Sequence, residues 1–214
     1  MEILSAFVRE KCSINKVASD LEVQLDPNDP TPENRIEKVQ VDIQAALTVL
    51  GRRKSDQDPE GKRIDLRKIN ASQVELQGSK LNGADLRDAN LSGADLRDTD
   101  LRNTNFRDAD LRYTDLSGAD FMGADLSCAY FREANLSDTT LSNANLRDAN
   151  LSYAKLIKTH LFGADLRGAD LSWAILNYTI LMNTDLRGTD LRGADLHNSN
   201  LIGIKLDSIN RPLA

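Results

Sequence analysis

Ala84-Asp85-Leu86-Arg87-Asp88, Ala89-Asn90-Leu91-Ser92-Gly93 and Ala94-Asp95-Leu96-Arg97-Asp98 follow one another without a break, and each is the same five-residue sentence. A small residue comes first, Asp or Asn second, Leu third, and two polar residues or Gly close the unit. Followed outward, the spacing holds from Leu66 to Leu206. The central column has 29 members, of which 25 are Leu, three are Phe (Phe106, Phe121, Phe131) and one is Ala71. Two positions earlier, the 25 residues from Ser79 to Ser199 are all Ala, Thr or Ser.

A period of five fits neither a helix nor a plain strand. The small residue and the Leu lie two apart, so they share one side of an extended segment while the Asp or Asn between them faces out. The next inward residue is three further on, which requires a turn, and Gly, Asp, Asn and Ser are turn formers. Such a chain coils with both columns inside. If four units make one coil, residues twenty apart stack, and Arg67, Arg87, Arg107, Arg147, Arg167 and Arg187 fall on one face. That face then holds six Arg in eight sites after the Leu, against five in 21 elsewhere, whereas a three-unit coil scatters the same eleven. The expectation is an all-β solenoid, a quadrilateral parallel β-helix of about seven coils, roughly 34 Å long at about 4.8 Å per coil. Each buried Leu contributes about 1.5–3 kcal/mol before entropy is subtracted, and each coil contacts only its neighbours.

The chain before the repeats reads differently. Ile3, Leu4, Phe7 and Val8 share one face of a short amphipathic helix from Met1 to about Lys11. Asp26 to Pro32 contains three prolines and forms a loop. Thr31 is a fitting N-cap with Pro32 at the first helical position, and Ile36, Val39, Ile43, Ala46, Leu47 and Leu50 give the second helix its apolar stripe up to Gly51. Lys54 to Lys62 is a polar linker. Two short helices cannot bury a core alone, so residues 1–60 are expected to cap the first coil and residues 61–214 to form the solenoid with a short tail. Ile64, Ile69 and Val74 stand where later coils have small residues, and Ala71 stands where they have Leu, an exchange of volume that marks the first coil as special. Phe7, Leu47 and Leu50 are the expected contacts to it.

The runs from Ala84 to Asp98, and Ala164-Asp165-Leu166-Arg167-Gly168, resemble the A(D/N)LXX signature of the pentapeptide-repeat family. The resemblance covers about two-thirds of the chain and implies a right-handed quadrilateral β-helix with the Leu and Ala columns inside. Glu2 to Glu10 and Asp42 to Arg53, leading into Arg63 to Leu66, also resemble the region before the repeats in bacterial, often cyanobacterial, members that carry membrane helices upstream.

Chemistry finds little purchase here. Net charge is −6, which offers no basic footprint for phosphates and argues against direct nucleic-acid binding. The cysteines, Cys12 and Cys128, are too few for a disulfide framework or a zinc cluster, and Cys128 is expected to point outward. The Asp ladder is interleaved with Arg and reads as a solvated, charge-balanced face rather than a row of metal sites or acid and base pairs. His160 and His197 lack ligand spacing, and phosphate-loop, nucleophile-elbow and dinucleotide motifs are missing. No enzyme activity, cofactor or metal is expected. The N-terminus lacks the basic start and apolar run of a secretory signal, and no stretch is long enough to span a membrane, so a soluble cytoplasmic chain is expected.

Partner surfaces are the remaining candidates. Four-unit stacking collects Met122, Phe162, Met182 and Ile202 on one face with Ile180 beside them, and places Ile157, Ile175 and Tyr178 at the adjacent corner. A second candidate column is Tyr113, Tyr153 and Trp173, with Tyr130 nearby. The leading expectation is a non-catalytic protein-interaction or scaffold module with an unknown protein partner, monomeric or weakly homodimeric. The alternative comes from the family resemblance: quinolone-resistance members mimic duplex DNA and bind gyrase or topoisomerase. That role wants strong negative charge and a C-terminal dimerisation helix, whereas residues 64–206 carry 20 acidic and 16 basic residues.

Overall fold

The computed structural model describes residues 44–52 and 63–207. Parallel bridges join each residue of the Asp/Asn column to the one twenty further on, from Asp65 with Asp85 to Asp185 with Lys205. Four units therefore complete one turn, as the stacking of arginines predicts. The coil has four sides, named here by their central residues: the first by Leu66 and Leu86, the second by Ala71 and Leu91, the third by Leu76 and Leu96, the fourth by Leu81 and Leu101. Each side is narrow, because turns consume most of the unit and the inter-coil bridging centres on the single residue before the Leu.

The hydrogen bonds of one unit explain why five residues suffice. Ala84 N–H closes the preceding turn on Leu81 C=O at 3.0 Å, Asp85 N–H reaches back one coil to Ile64 C=O at 2.8 Å, and Leu86 N–H reaches forward to Asn105 C=O at 2.7 Å. Asp88 N–H donates forward to Arg107 C=O at 3.1 Å. Arg87 N–H has no backbone partner in this scheme, and the Oδ1 of Asp85 accepts it at 3.3 Å. All five donors of the unit are thus satisfied, as a backbone packed against a dry interior requires. The last residue of each unit sits in the left-handed region, with φ from 56° to 73°. Gly, Asn and Asp tolerate that conformation best, which accounts for their abundance there.

The interior is filled by the apolar central column and the small column. From Leu66 to Leu186 the central column is at most 4 % exposed, and Phe106 meets Phe121 edge-on with ring centroids 5.7 Å apart. Where the small column is Thr, the buried hydroxyl finds a carbonyl, as in Thr159 to Leu136 C=O at 2.6 Å and Thr179 to Leu156 C=O at 2.7 Å. The expectation of an inward Leu column fails at its far end: Leu201 and Leu206 are exposed, because no described coil lies over them.

Helix α1, residues 44–51, lies on the first coil. Ala46, Leu47 and Leu50 are buried in the same cluster as Ile64, Leu66, Ile69 and Val74. Gln44 accepts Glu75 N–H at 2.7 Å and donates to Glu75 C=O at 2.5 Å, the two bonds that a preceding coil makes elsewhere in this column. Gly51 C=O likewise accepts Lys80 N–H at 2.8 Å. A side chain at Gly51 would place its Cβ 2.6 Å from the Cβ of Ser79, so close approach of helix and coil demands glycine. The helix expected at Met1–Lys11, with Phe7, the loop 26–32 and the linker 54–62 lie outside the described residues.

Ala119 and Ala144 are 1 % exposed and packed on all sides. Ala119→Leu or Ala144→Leu should destabilise the protein by about 1–3 kcal/mol or more through overpacking, while Asp120→Asn, which keeps the acceptor for Met122 N–H, should stay near wild type. Thermal denaturation of the three variants checks the order.

Candidate interaction surfaces

On the first side the Asp column and the Arg column form forks. Arg87 donates through Nε and Nη2 to the two oxygens of Asp85 at 2.9 and 2.7 Å, and the same geometry recurs at Arg67 with Asp65, Arg167 with Asp165 and Arg187 with Asp185. Looser contacts link successive coils, Arg67 to Asp85 at 3.7 Å and Arg167 to Asp185 at 3.8 Å. Where Asn105 and Asn145 replace Asp, Arg107 turns to Asp108 and Arg147 to Asp165. The forked hydrogen bond from its arginine holds each of Asp95, Asp100, Asp110, Asp165 and Asp190 below the ordinary carboxylate range, and that from Arg187 brings Asp185 to about 2. Carboxylates so held are ionised at neutral pH and unsuited to general acid work. Among the described residues no group of three or more His, Cys, Asp or Glu could hold a metal.

The Asp ladder is therefore more than the solvated face that charge patterning suggests. Its inner oxygen closes a backbone donor, and its outer oxygen, where Arg follows, takes a guanidinium. The sequence does carry the signal: of the 29 residues before the central column 13 are Asp, seven are Asn and one is Glu. A face selected for charge alone would take Glu as freely as Asp, but Glu is one methylene too long to reach back to the second N–H on.

The second side carries the aromatic column. Tyr153 and Trp173 stack with centroids 6.5 Å apart and planes 11° from parallel, and Arg132 sits 4.8 Å above the other face of Tyr153. A Cβ at Gly193 would lie 2.6 Å from the indole of Trp173, so the indole lies over that glycine. The pile runs Arg132, Tyr153, Trp173, Gly193. Tyr113 stands two coils away behind Glu133 and does not join it. All three aromatics occupy left-handed backbone, φ 61°, 59° and 59°, at about 1–2 kcal/mol each relative to glycine.

The fourth side carries the apolar column. Phe162, Met182 and Ile202 follow on successive coils, as the bridges of His160 with Ile180 and Ile180 with Asn200 place them, and Ile180 stands beside them. Phe162 and Ile202 are 44 % and 66 % exposed, and Met182 and Ile180 are half-buried. Met122 is exposed but separated from the rest by the coil of Ser142. Ile157 lies around the corner on the third side with Ile175 and Tyr178. Cys128 is partly exposed in a column between Asp108 and Asp148, and His197 pairs through Nδ1 with Asp195.

The profile described as pentapeptide repeats matches in 8 copies, over residues 62–93, 89–127, 129–168 and 164–203. This chain belongs to the pentapeptide-repeat family. Its solenoid is accordingly the right-handed quadrilateral β-helix of that family. Solved structures similar to it include HetL, a pentapeptide-repeat protein involved in heterocyst differentiation regulation from the cyanobacterium Nostoc sp. strain PCC 7120, at 26 % identity over 70 % of this chain and 92 % of that one, TM-score 0.46. A trypsin-treated form of QnrB1, a plasmid-mediated fluoroquinolone resistance protein, matches at 27 % identity over 68 % and 78 %, TM-score 0.48. A pentapeptide-repeat protein of the Arabidopsis thaliana thylakoid lumen matches at 33 % over 46 % and 65 %, TM-score 0.37. No curated protein sequence matches.

The forks of this pentapeptide-repeat solenoid set its acid limit. The carboxylates of Asp95, Asp100, Asp110, Asp165, Asp185 and Asp190 titrate lower in the folded state than the roughly 3.9 of an unfolded Asp, so their stabilisation is present above that value and is lost as pH falls through the folded range, toward about 2 for Asp185. Melting temperature should fall across that window, and Asp185→Asn, which keeps the backbone acceptor but loses the ion pair, should flatten the fall.

Proposed function

We propose that this pentapeptide-repeat protein is a non-catalytic protein-interaction or scaffold module, and that its fourth side is the surface it presents. The observation that carries this reading is the outward register of Phe162, Met182 and Ile202 on consecutive coils, with Ile180 beside them, in a position where most units place Arg, Ser or Asn. An apolar run on a surface is the ordinary mark of an interface, and a backbone held by three inter-coil bonds per unit needs little ordering when a partner arrives. The forks argue against duplex-DNA mimicry: eleven of the 20 acidic residues in 64–206, which would have to imitate phosphates, are paired with arginines, and the segment holds 16 bases against its 20 acids. Among the described residues no helix is long and apolar enough to cross a membrane.

We read residues 61–214 as a solenoid of about seven coils at twenty residues each with a short C-terminal tail, and residues 1–60 as its cap. Gln44 and Gly51 support this reading, since they supply the first coil with bonds that a preceding coil would make. Deleting residues 1–60 should leave that edge open and promote concentration-dependent association, read by light scattering. A truncated chain that stays monomeric and equally stable would remove the cap.

Phe162→Asp with Met182→Asp tests the interface. Both side chains face outward, so circular dichroism should be unchanged, while the partner recovered from a native lysate, or a homodimer formed through this side, should be lost. A variant that folds and keeps every partner transfers the role to the Tyr153 and Trp173 pile.

A further inference from the structure

Asp or Asn stands before the central column in 20 of 29 units and closes the N–H two residues on in each, and five of the nine exceptions cluster around one corner of the solenoid. Thr140, Lys155, His160, Ile175 and Ile180 occupy the closing position there. Among the described residues no side chain accepts the N–H groups that follow, those of Ser142, Ile157, Phe162, Asn177 and Met182, and the side chains of Lys and Ile have no acceptor to offer. The gaps are contiguous: Lys155 bridges Ile175 on the third side, and Thr140, His160 and Ile180 follow one another on the fourth. In other units the acceptor for this N–H is an outward, partly exposed carboxylate or amide, as in Asp165 for Arg167 at 3.2 Å, so the group points to the surface. Here a set of backbone donors stands open at the surface within three coils.

The same corner reverses the charge of the molecule. Lys155 and Lys158 are exposed and make no ion pair among the described residues, and His160 is exposed beside them. The titratable groups facing them are Asp138, one coil before Lys158 in the same column, and Asp195 on the coil after Ile175, already paired with His197. The chain as a whole carries −6. Between the lysines and the open donors lie Ile157, Phe162, Ile175, Tyr178, Ile180 and Met182. Tyr178 holds φ 62°, a conformation that Gly or Asn adopts far more readily.

We infer that this corner docks an extended acidic segment of another protein, in which carboxylates alternate with apolar side chains. Its carboxylate and carbonyl oxygens take the open N–H groups and the two ammonium groups, and its apolar side chains cover Phe162, Tyr178 and Met182. A purely apolar partner is selected against, because it would bury those donors without acceptors. A polyanion such as nucleic acid is disfavoured by the acidic remainder of the surface and brings no apolar side chains to the corner. The inference rests on the reading of this protein as an interaction module and adds the chemistry of the partner.

The test uses the full chain and three fluorescein-labelled peptides that share one pattern of Leu and Phe and carry Glu, Gln or Lys at the alternate positions, followed by fluorescence anisotropy. The Glu peptide should bind, more weakly as salt rises, and the Lys peptide should not. Lys155→Glu with Lys158→Glu should weaken binding by about tenfold or more. The sharper variant is Thr140→Asn with His160→Asn, which restores the side-chain acceptors for Ser142 and Phe162. It should raise the melting temperature and yet weaken the Glu peptide, a combination that simple damage to the fold cannot produce. Absence of Glu-peptide binding, equal binding of the Glu and Lys peptides, or preference for vesicles of anionic phospholipid over the Glu peptide would each overturn the inference. The interaction-module reading fails separately, if Phe162→Asp with Met182→Asp leaves every lysate partner in place.

Discussion

The structure depends on one short hydrogen bond, which in 20 of the 29 units runs from the N–H of the residue after the central side chain to the carboxylate or amide two residues before it. Without that acceptor, a chain turning every five residues would leave one backbone donor per unit without a partner. With it, three donors reach neighbouring coils, one closes the turn and one is held by the side chain, as in the unit Ala84 to Asp88. The side chain must be short, which is why Asp and Asn dominate the position and Glu75 is its one long acid. The same carboxylate then orients the arginine that follows, so that surface charge pattern and backbone closure have a common origin.

Because each coil repeats these bonds at a spacing of twenty residues, side chains stack in columns, and the surface is a set of ladders rather than a mosaic. Most ladders neutralise themselves. Arginine forks close the first side, and Arg132, Tyr153, Trp173 and Gly193 close a pile on the second, using up the ring faces that a flat ligand would want. The corner of the third and fourth sides is different: there the closing residues are lost, apolar side chains replace polar ones, and Lys155 and Lys158 make no ion pair among the described residues. A repeat protein gains specificity where it departs from its repeat, since a uniform ladder offers the same contact at every coil.

Much of this was legible in the chain. The period of five, the inward columns and the four-unit coil follow from residue identities, because overlap of Leu with Leu and Arg with Arg at twenty residues has one geometric solution. The expectation that Asp85 and its equivalents are a solvated face was incomplete, since charge patterning says where a carboxylate points and not which N–H lies behind it. The grouping of Phe162, Met182 and Ile202 and the placing of Glu133 between Tyr113 and Tyr153 could be read from spacing, while the stacking of Tyr153 on Trp173 under Arg132 needed the side-chain conformations. Gln44 carried no signal at all: a polar residue on a helix becomes an edge-closing group only when the helix is laid against Glu75.

The sequence by itself determined the coil, because a strict five-residue alternation of small, acidic and large side chains leaves the backbone one way to bury its apolar columns and satisfy its donors. Tertiary structure alone decided which surface groups are spent and which are open. Arg87 is occupied by Asp85 and Trp173 by Tyr153 and Gly193, whereas the N–H groups of Phe162 and Met182 find no acceptor among the described residues, and these outcomes depend on distances between residues two, twenty and forty apart in the chain that composition does not express. The physical reason is that hydrogen bonds and ring contacts act over about 3–6 Å, a scale set by how coils stack and not by what each unit contains.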